Sequence, residues 1–394
     1  MPAPLSSCCS PRPTWISTTG SPVARNRPPA RSAAQVGKPH PSAIAVSDDG
    51  RVFVADDVVP QPILVEVAAK LALKLAAQGK PFGGKFSFDA DNRQPWSGQP
   101  PAPRWPRFEP DAITCEVLDL VDSRFPHAFG RLDGFAWPCS AAEVQAWWQF
   151  ALVHALPLFG PYEDAMAEAE PMLFHTGVSP LLNLGRLLPQ QLVDDAVAAC
   201  EDGRVPLASA EGFVRQVLGW REFVKQVHDA TDGFRQQQAD GAPNALSAGE
   251  ALPPVFWGHA PSGLRCLDGV VDHVHAHGWS HHITRLMVLC NIATLLGVRP
   301  RELTDWFWAA YVDAYDWVVE PNVIGMGTYG VGDLLTTKPY VSGAAYIDRM
   351  SDYCKGCAFH PKKNCPVTSM YWNFLDRNGA ALADAASKAV EGCS

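Results

Sequence analysis

The sequence predicts a mainly α-helical protein, with one large helical domain occupying most of the chain. Two observations predict it. Apolar residues recur at helical spacing in successive stretches beyond residue 110, while alternating β-type runs are scarce after residue 60. In addition, 394 residues with 47% hydrophobic and 19% charged side chains can bury a large core, which excludes a chain disordered throughout. The length favours two domains, because single cores rarely keep growing at this size.

Residues 1–57 read as a disordered leader, rich in Pro, Ser, Ala and Arg and without Asp or Glu up to about residue 47. The same composition suits an organelle transit peptide. A short strand is expected at 51–54. Residues 60–78, ILVEVAAKLALKLAAQ at their centre, read as a helix ended by Gly79. The stretch 94–110 is too proline-dense for regular structure and reads as an extended linker. Helices follow at 141–153, with Ser140 as N-cap, and at 189–201, 210–228, 267–297, 300–317 and 380–391. No internal repeat is evident.

The formal net charge of -9 argues against a broad, sequence-independent grip on nucleic acid, although it leaves room for a local basic cleft. No apolar run approaches the ~20 residues needed to span a bilayer, so a soluble protein without membrane contact is expected. The P-loop, the G-x-G-x-x-G turn and the G-x-S-x-G elbow are all missing from the sequence, which removes most support for kinase and hydrolase chemistry. The 11 Cys are unevenly spaced and suit reduced thiols with one metal or cluster site.

Three constellations carry chemistry. In YCKGCAFHPKKNCP, Cys354 and Cys357 form C-x2-C and Cys365 follows. Three thiolates need a fourth ligand: His360 would complete a local zinc site, and a distant cysteine an all-thiolate site. Three unrelated buried thiols are the bland alternative. His273, His275 and His277 precede His281 and His282. One-turn spacing permits metal binding, but no H-E-x-x-H accompanies it, and helix-surface or core histidines are the commoner outcome. His281 and His282 stand at the edge of an apolar run, where a polar pair suits acid–base work. The third is the aromatic run Trp306, Phe307, Trp308, Tyr311, Tyr315 and Trp317, which fits core packing or the passage of single electrons.

Taken in order, GGKFSFDADNR, FHTGVSPLLNLG through GFVRQVLGWREF, SHHITRLMVLCN, DWFWAAYVDAYDWV and KPYVSGAAYIDRMSDYC resemble the bacterial iron–sulfur (6-4) branch of the photolyase and cryptochrome family. The resemblance runs from Gly83 to Asn378. It implies a U-shaped, non-covalent FAD in a helical domain and light-driven electron transfer to UV-damaged DNA. A flipped (6-4) pyrimidine photoproduct is the expected lesion. A non-repairing, cryptochrome-like flavoprotein or a degenerate paralogue is the alternative that the resemblance leaves open.

Position by position, the resemblance assigns His175, Ser179, Asn183, Gln216, Arg221, Arg285 and Asp313 to the flavin. Cys266, Cys354, Cys357 and Cys365 fall to a [4Fe–4S] cluster, which displaces His360. His282 is the proton donor, with His281 beside it; Tyr340, Met326, Asp89 and Arg93 face the lesion. Trp306 and Phe307 lie in the electron-relay segment, with Trp257 a further relay ring. The chain departs from the family pattern in four ways, the first being a shorter interval before Cys365. Phe307 stands where tyrosine is common, and it has no phenolic proton to lose. Val319 stands where relatives carry a glutamate, in Trp317-Val318-Val319-Glu320-Pro321-Asn322. The α/β antenna domain is reduced to a remnant within residues 58–110, ahead of the catalytic domain at 111–394, so no antenna chromophore is expected. The expected state is a cytoplasmic monomer, or an imported one if the leader is a transit peptide.

Overall fold

The computed structural model describes residues 43–46, 52–55, 88, 91–235 and 244–391. All lie within one compact unit, Gly37–Ser394. The expected helix at 60–78 and the loop residue Asp89 fall outside the described residues. Two short strands, β1 (Ala43–Val46) and β2 (Val52–Ala55), pair antiparallel with Val46 opposite Val52. The first lies within the stretch read as leader: Ala-Ile-Ala-Val is a short β-branched alternation, and Asp49-Gly50 ahead of β2 is a hairpin signal.

From residue 93 to 110 the chain runs without helix, as its prolines dictate. Helix α1 (Ala112–Arg124), which the periodicity did not disclose, begins where the Asp111 carboxylate accepts the Thr114 N–H at 2.8 Å. Helix α2 (Ala141–Phe150) opens with a capping box: Ser140 Oγ accepts the Glu143 N–H while Glu143 accepts the Ser140 N–H. A π-helical turn, Ala151–Ala155, carries it into α3 (Leu156–Phe159). After α4 (Ser179–Asn183), α5 (Pro189–Glu201) has the expected bounds. Helix α6 (Leu207–Val214) passes through a second π turn, Arg215–Trp220, into α7 (Arg221–Thr231).

Two expected long helices are broken. The 267–297 stretch divides into α8 (Arg265–His277) and a second run comprising α9 (His282–Thr284), a π turn at Arg285–Cys290 and α10 (Asn291–Leu296). The 300–317 stretch divides into α11 (Pro300–Ala310) and α12 (Asp316–Glu320), which continues as a π segment, Pro321–Gly327. The two breaks hold each other. Gly278 turns left-handed at φ 62°, and its carbonyl accepts the Val312 N–H at 2.8 Å. A Cβ at Gly278 would lie 2.7 Å from Val312 Cγ1. Helices α13 (Ala344–Met350) and α14 (Pro366–Glu391) complete the fold, the latter starting at Pro366 rather than 380.

Buried side chains form two main clusters. One gathers α2, α5 and α6 around Trp147, Trp148, Leu156 and Phe213. The other gathers α8 to α14 around Phe256, Leu267, Trp306 and Phe374. No described helix is long and apolar enough to cross a membrane.

Candidate active site

Residues preceding and opening α4, the break at Gly278–His281 and the loop Tyr311–Tyr315 meet, and their polar groups form one network. Arg285 donates both Nη atoms to the Asp313 carboxylate, at 3.0 and 2.8 Å, and Nε to the Ser280 carbonyl at 2.8 Å. Asp313 is buried. Ser179 donates to the same carboxylate at 2.6 Å, and Asn183 Nδ2 donates to the Asp313 carbonyl at 2.8 Å. The guanidinium lies 4.1 Å above the Tyr311 ring. Bidentate geometry and the shared hydroxyl lock a charged pair that burial alone would penalise. The expected Arg285–Asp313 bridge is therefore present, with Ser179 and Asn183 attached to it.

The histidines lie beside this network. The His175 and His281 rings are stacked, 4.2 Å between centroids and 5° from parallel, and both are buried. Burial first, and then neighbouring imidazoles, push both far below the usual histidine range, so both are neutral. His282 stands at 5.4 Å from His175 and is half-exposed, with Nε2 3.8 Å from Asp164 Oδ1. Metal-binding atoms of His175, His281 and His282 approach within 4.8 Å of one another. Stacking argues against a shared ion, because each lone pair lies in its own ring plane and two parallel planes do not converge. On α8, His273 and His277 pack ring to ring at 4.5 Å, and burial takes His273 to about 3. They behave as packed helix residues.

The Asp164 neighbourhood was not legible in the sequence. Tyr346 donates to Asp164 Oδ2 at 3.4 Å, and burial, then Asp164, raises its phenol above the usual range; the Arg93 charge acts on the same phenol in the opposite sense. Asp164 belongs to the acidic run Glu163 to Glu170, which reads as a solvated face. Tyr340 is exposed at 39% and Met326 sits half-buried in the π segment after α12; no described contact joins either to the histidines.

Gln216 lies in the π turn before α7, and Arg221 opens that helix. Gln216 donates to Glu163 at 3.3 Å, and Arg221 lies 4.7 Å over the Trp317 ring with its Nε buried and unpartnered. His175 Nε2 and both His281 nitrogens are likewise buried without partners. Such groups are costly unless a bound polar molecule satisfies them, so these residues fit a flavin. Three of the π turns carry residues that the resemblance ties to flavin or lesion (Gln216, Arg285 and Met326), in keeping with the tendency of π turns to mark functional sites.

Val319 is buried in the core, whereas Glu320 turns to the other side. Its carboxylate lies 3.1 Å from His228 Nε2 and 3.4 Å from Arg235 Nε, against Gly233, where a Cβ would meet it at 1.8 Å. Glu320 is therefore committed to α7 and the turn that follows.

Cys266, Cys354, Cys357 and Cys365 line a single pocket with Leu264, Ile347, Tyr353 and Phe359. Burial, then the Cys354, Cys365 and Cys357 charges, pushes Cys266 up to about 12. Four cysteines lining one apolar pocket fit a cationic iron–sulfur core, which would stabilise them as thiolates. His360 does not line this pocket; its Nδ1 accepts the Lys362 N–H at 3.1 Å within its own turn.

Trp306 is fully buried and donates to the Phe256 carbonyl at 2.7 Å. Its described ring neighbours are Phe256, Phe307 and Tyr311, whereas Trp257 packs on Phe129.

The family model for deoxyribodipyrimidine photo-lyase-related proteins matches residues 69–137, and that for the FAD-binding domain of DNA photolyase matches 213–333. The chain is 36% identical over 313 residues to a (6-4) photolyase of Agrobacterium fabrum, a match covering 77% of this chain and 60% of that protein. It is 34% identical over 92 residues to an uncharacterised protein of Acanthamoeba polyphaga mimivirus, covering 23% of this chain and 72% of that one. A crystal structure of a bacterial class III photolyase from Agrobacterium tumefaciens gives a TM-score of 0.45 at 15% identity, covering 71% of this chain and 60% of that chain. The helical body is a photolyase-type FAD-binding domain. The chain belongs to the photolyase and cryptochrome family.

Proposed function

We propose that this chain repairs UV-damaged DNA, acting on (6-4) pyrimidine photoproducts with light and reduced FAD. The observation that carries the reading is the histidine arrangement: two dry, neutral, stacked imidazoles beside a half-exposed His282 near a carboxylate. When bound, FAD supplies the photoexcited electron. Arg285, Asp313, Ser179 and Asn183 form one rigid polar set that would hold it, with His175, Gln216 and Arg221 around it. His282 Nε2, 3.8 Å from Asp164 Oδ1, would hand a proton to a lesion flipped out of the duplex. His281 stays neutral and steers that proton to the outer ring. Arg93, Tyr340 and Met326 would meet the lesion and its backbone. Cys266, Cys354, Cys357 and Cys365 would hold a [4Fe–4S] cluster that ties α8 to the start of α14. The second reading is a non-repairing light-responsive flavoprotein, which Phe307 and Val319 favour.

The test is spectroscopic and then functional. Purified protein should carry flavin bands with a broad iron–sulfur shoulder and, once reduced, should remove (6-4) lesions under blue light. His282→Ala should abolish lesion loss with FAD retained. Full repair by that variant rejects the proton donor, and light-driven flavin changes without lesion loss in the parent protein favour the second reading.

A further inference from the structure

Residues 91–93 bury one side chain that neither the flavin nor the lesion chemistry uses. Asp91 and Arg93 are exposed, whereas Asn92 between them is 2% exposed. Asn92 Nδ2 donates to the Ala208 carbonyl of α6 at 3.3 Å, and its Oδ1 is buried with no partner among the described residues. Taking an amide out of water for a single bond is costly, so the burial calls for a reason beyond stability.

Two glycines cut the seat for this amide. A Cβ at Gly160, which follows α3, would lie 2.9 Å from Asn92 Oδ1 and equally close to Ser209 Cα. A Cβ at Gly212, inside α6, would meet Asn92 Nδ2 first, at 3.1 Å. Neither glycine has a left-handed backbone, so neither is required for its conformation. Glycine inside a helix weakens it relative to alanine, and at Gly212 the return is room for Asn92. The flanking chain is fixed too: the Asp91 N–H donates to the Phe88 carbonyl at 2.8 Å and the Gln94 N–H to the Pro161 carbonyl at 2.9 Å.

The seat lies between the two halves of the site. Glu163 Oε2 would be 3.4 Å from the Gly212 Cβ, and its Oε1 accepts from Gln216 on the flavin side. With Asn92 turned inward, Arg93 is left outside, where its charge acts on the Tyr346 phenol that donates to Asp164 beside His282.

We propose that Asn92 is a positioning residue: its amide, seated between Gly160 and Gly212, holds Arg93 at the His282 corner and so sets how much more tightly damaged DNA is bound than undamaged DNA. The proposal rests on the repair reading above. Asn92 acts on lesion binding and not on proton or electron transfer.

The test compares binding in the dark to a duplex bearing one (6-4) photoproduct with binding to the same duplex undamaged, using flavin-loaded protein. Asn92→Ala should weaken lesion binding roughly tenfold. Binding to undamaged DNA, flavin content and kcat at saturating DNA should stay at parental values, so that the loss appears in KM. Gly212→Ala keeps Asn92 and suits a helix interior, yet presses on Nδ2. It should reproduce part of the loss, and add nothing once Asn92 is alanine. Unchanged lesion affinity in Asn92→Ala, a loss shared equally by damaged and undamaged DNA, or a fall in kcat with KM unchanged overturns the proposal. Where Asn92→Ala fails to hold flavin, Gly212→Ala decides alone, and unchanged lesion affinity in it overturns the seat. A parent protein with no preference for the damaged duplex overturns the repair reading and the proposal with it.

Discussion

Asp313 accepts from Arg285 twice and from Ser179 once, so removing its charge strands a guanidinium among buried groups. Asp313→Asn should cost about 3–5 kcal/mol in denaturant unfolding, the range for breaking one side of a buried ion pair. It should also release flavin, which absorbance after gel filtration would detect. The histidines make a different prediction. His175 and His281 are held neutral when folded, whereas an unfolded imidazole takes a proton near 6.5. Below that pH the unfolded chain binds more protons, so stability is complete above about 6.5 and declines as pH falls, with a slope of up to ~1.4 kcal/mol per pH unit for each group. His273, on α8, adds to the same trend, and Arg285 and His282 face the pair with charges that reinforce it. Thermal midpoints between pH 7.5 and roughly 5 should fall accordingly; a flat profile would contradict buried neutral rings. At this scale the ordered run of motifs pointed to Arg285, Asp313, Ser179 and the histidine pair. Asp164 and Tyr346 were hidden, because a carboxylate in an acidic run and a tyrosine in a helix carry no local sign that they meet, the carboxylate beside His282.

Gly278 shows why element boundaries escaped periodicity. Residues 267–297 keep an apolar face throughout, so nothing local announces a break except one glycine, and an isolated glycine inside a helical pattern is often tolerated. The break is fixed by the Val312 N–H reaching the Gly278 carbonyl from another element. Gly278→Ala should destabilise the fold by roughly 1–2 kcal/mol from the left-handed backbone alone, plus the contact with Val312 Cγ1. Adding Val312→Ala should recover only the contact part, so a double-mutant cycle on unfolding free energies separates the two. Full recovery would mean that the backbone conformation costs nothing. Helix starts were easier where a side chain caps them, as at Ser140. The π turns left no legible pattern, since one extra residue in a helical stretch leaves no mark of its own in residue type or local spacing.

At the scale of the molecule, the cysteine pocket joins α8, the turn after α13 and the first residue before α14. Those segments are far apart in sequence, so a centre bound there would restrain the C-terminal third of the body. Cys266→Ser should lose the broad iron–sulfur absorption and lower the thermal midpoint by several degrees, with flavin bands still visible in the remaining folded protein. An unchanged shoulder would exclude Cys266 as a ligand. The tryptophan content has a similar large-scale explanation. Trp147 and Trp148 fill the cluster around α2, α5 and α6, Trp306 fills the other, and Trp279 lies where the site is assembled.

Helical class, the proline-rich linker, the bounds of α5 and the grouping of three cysteines were settled by the chain's own residue order, because period, proline density and thiol spacing are local properties. The fourth thiol at Cys266 and the Arg285–Asp313 pair were proposed only through likeness to a family; their convergence belongs to the folded molecule. So do the break at Gly278, the diversion of Glu320 towards His228 and the stacking of His175 on His281. Each of these depends on which distant backbone or ring arrives next to it, and burial then sets its charge and conformation.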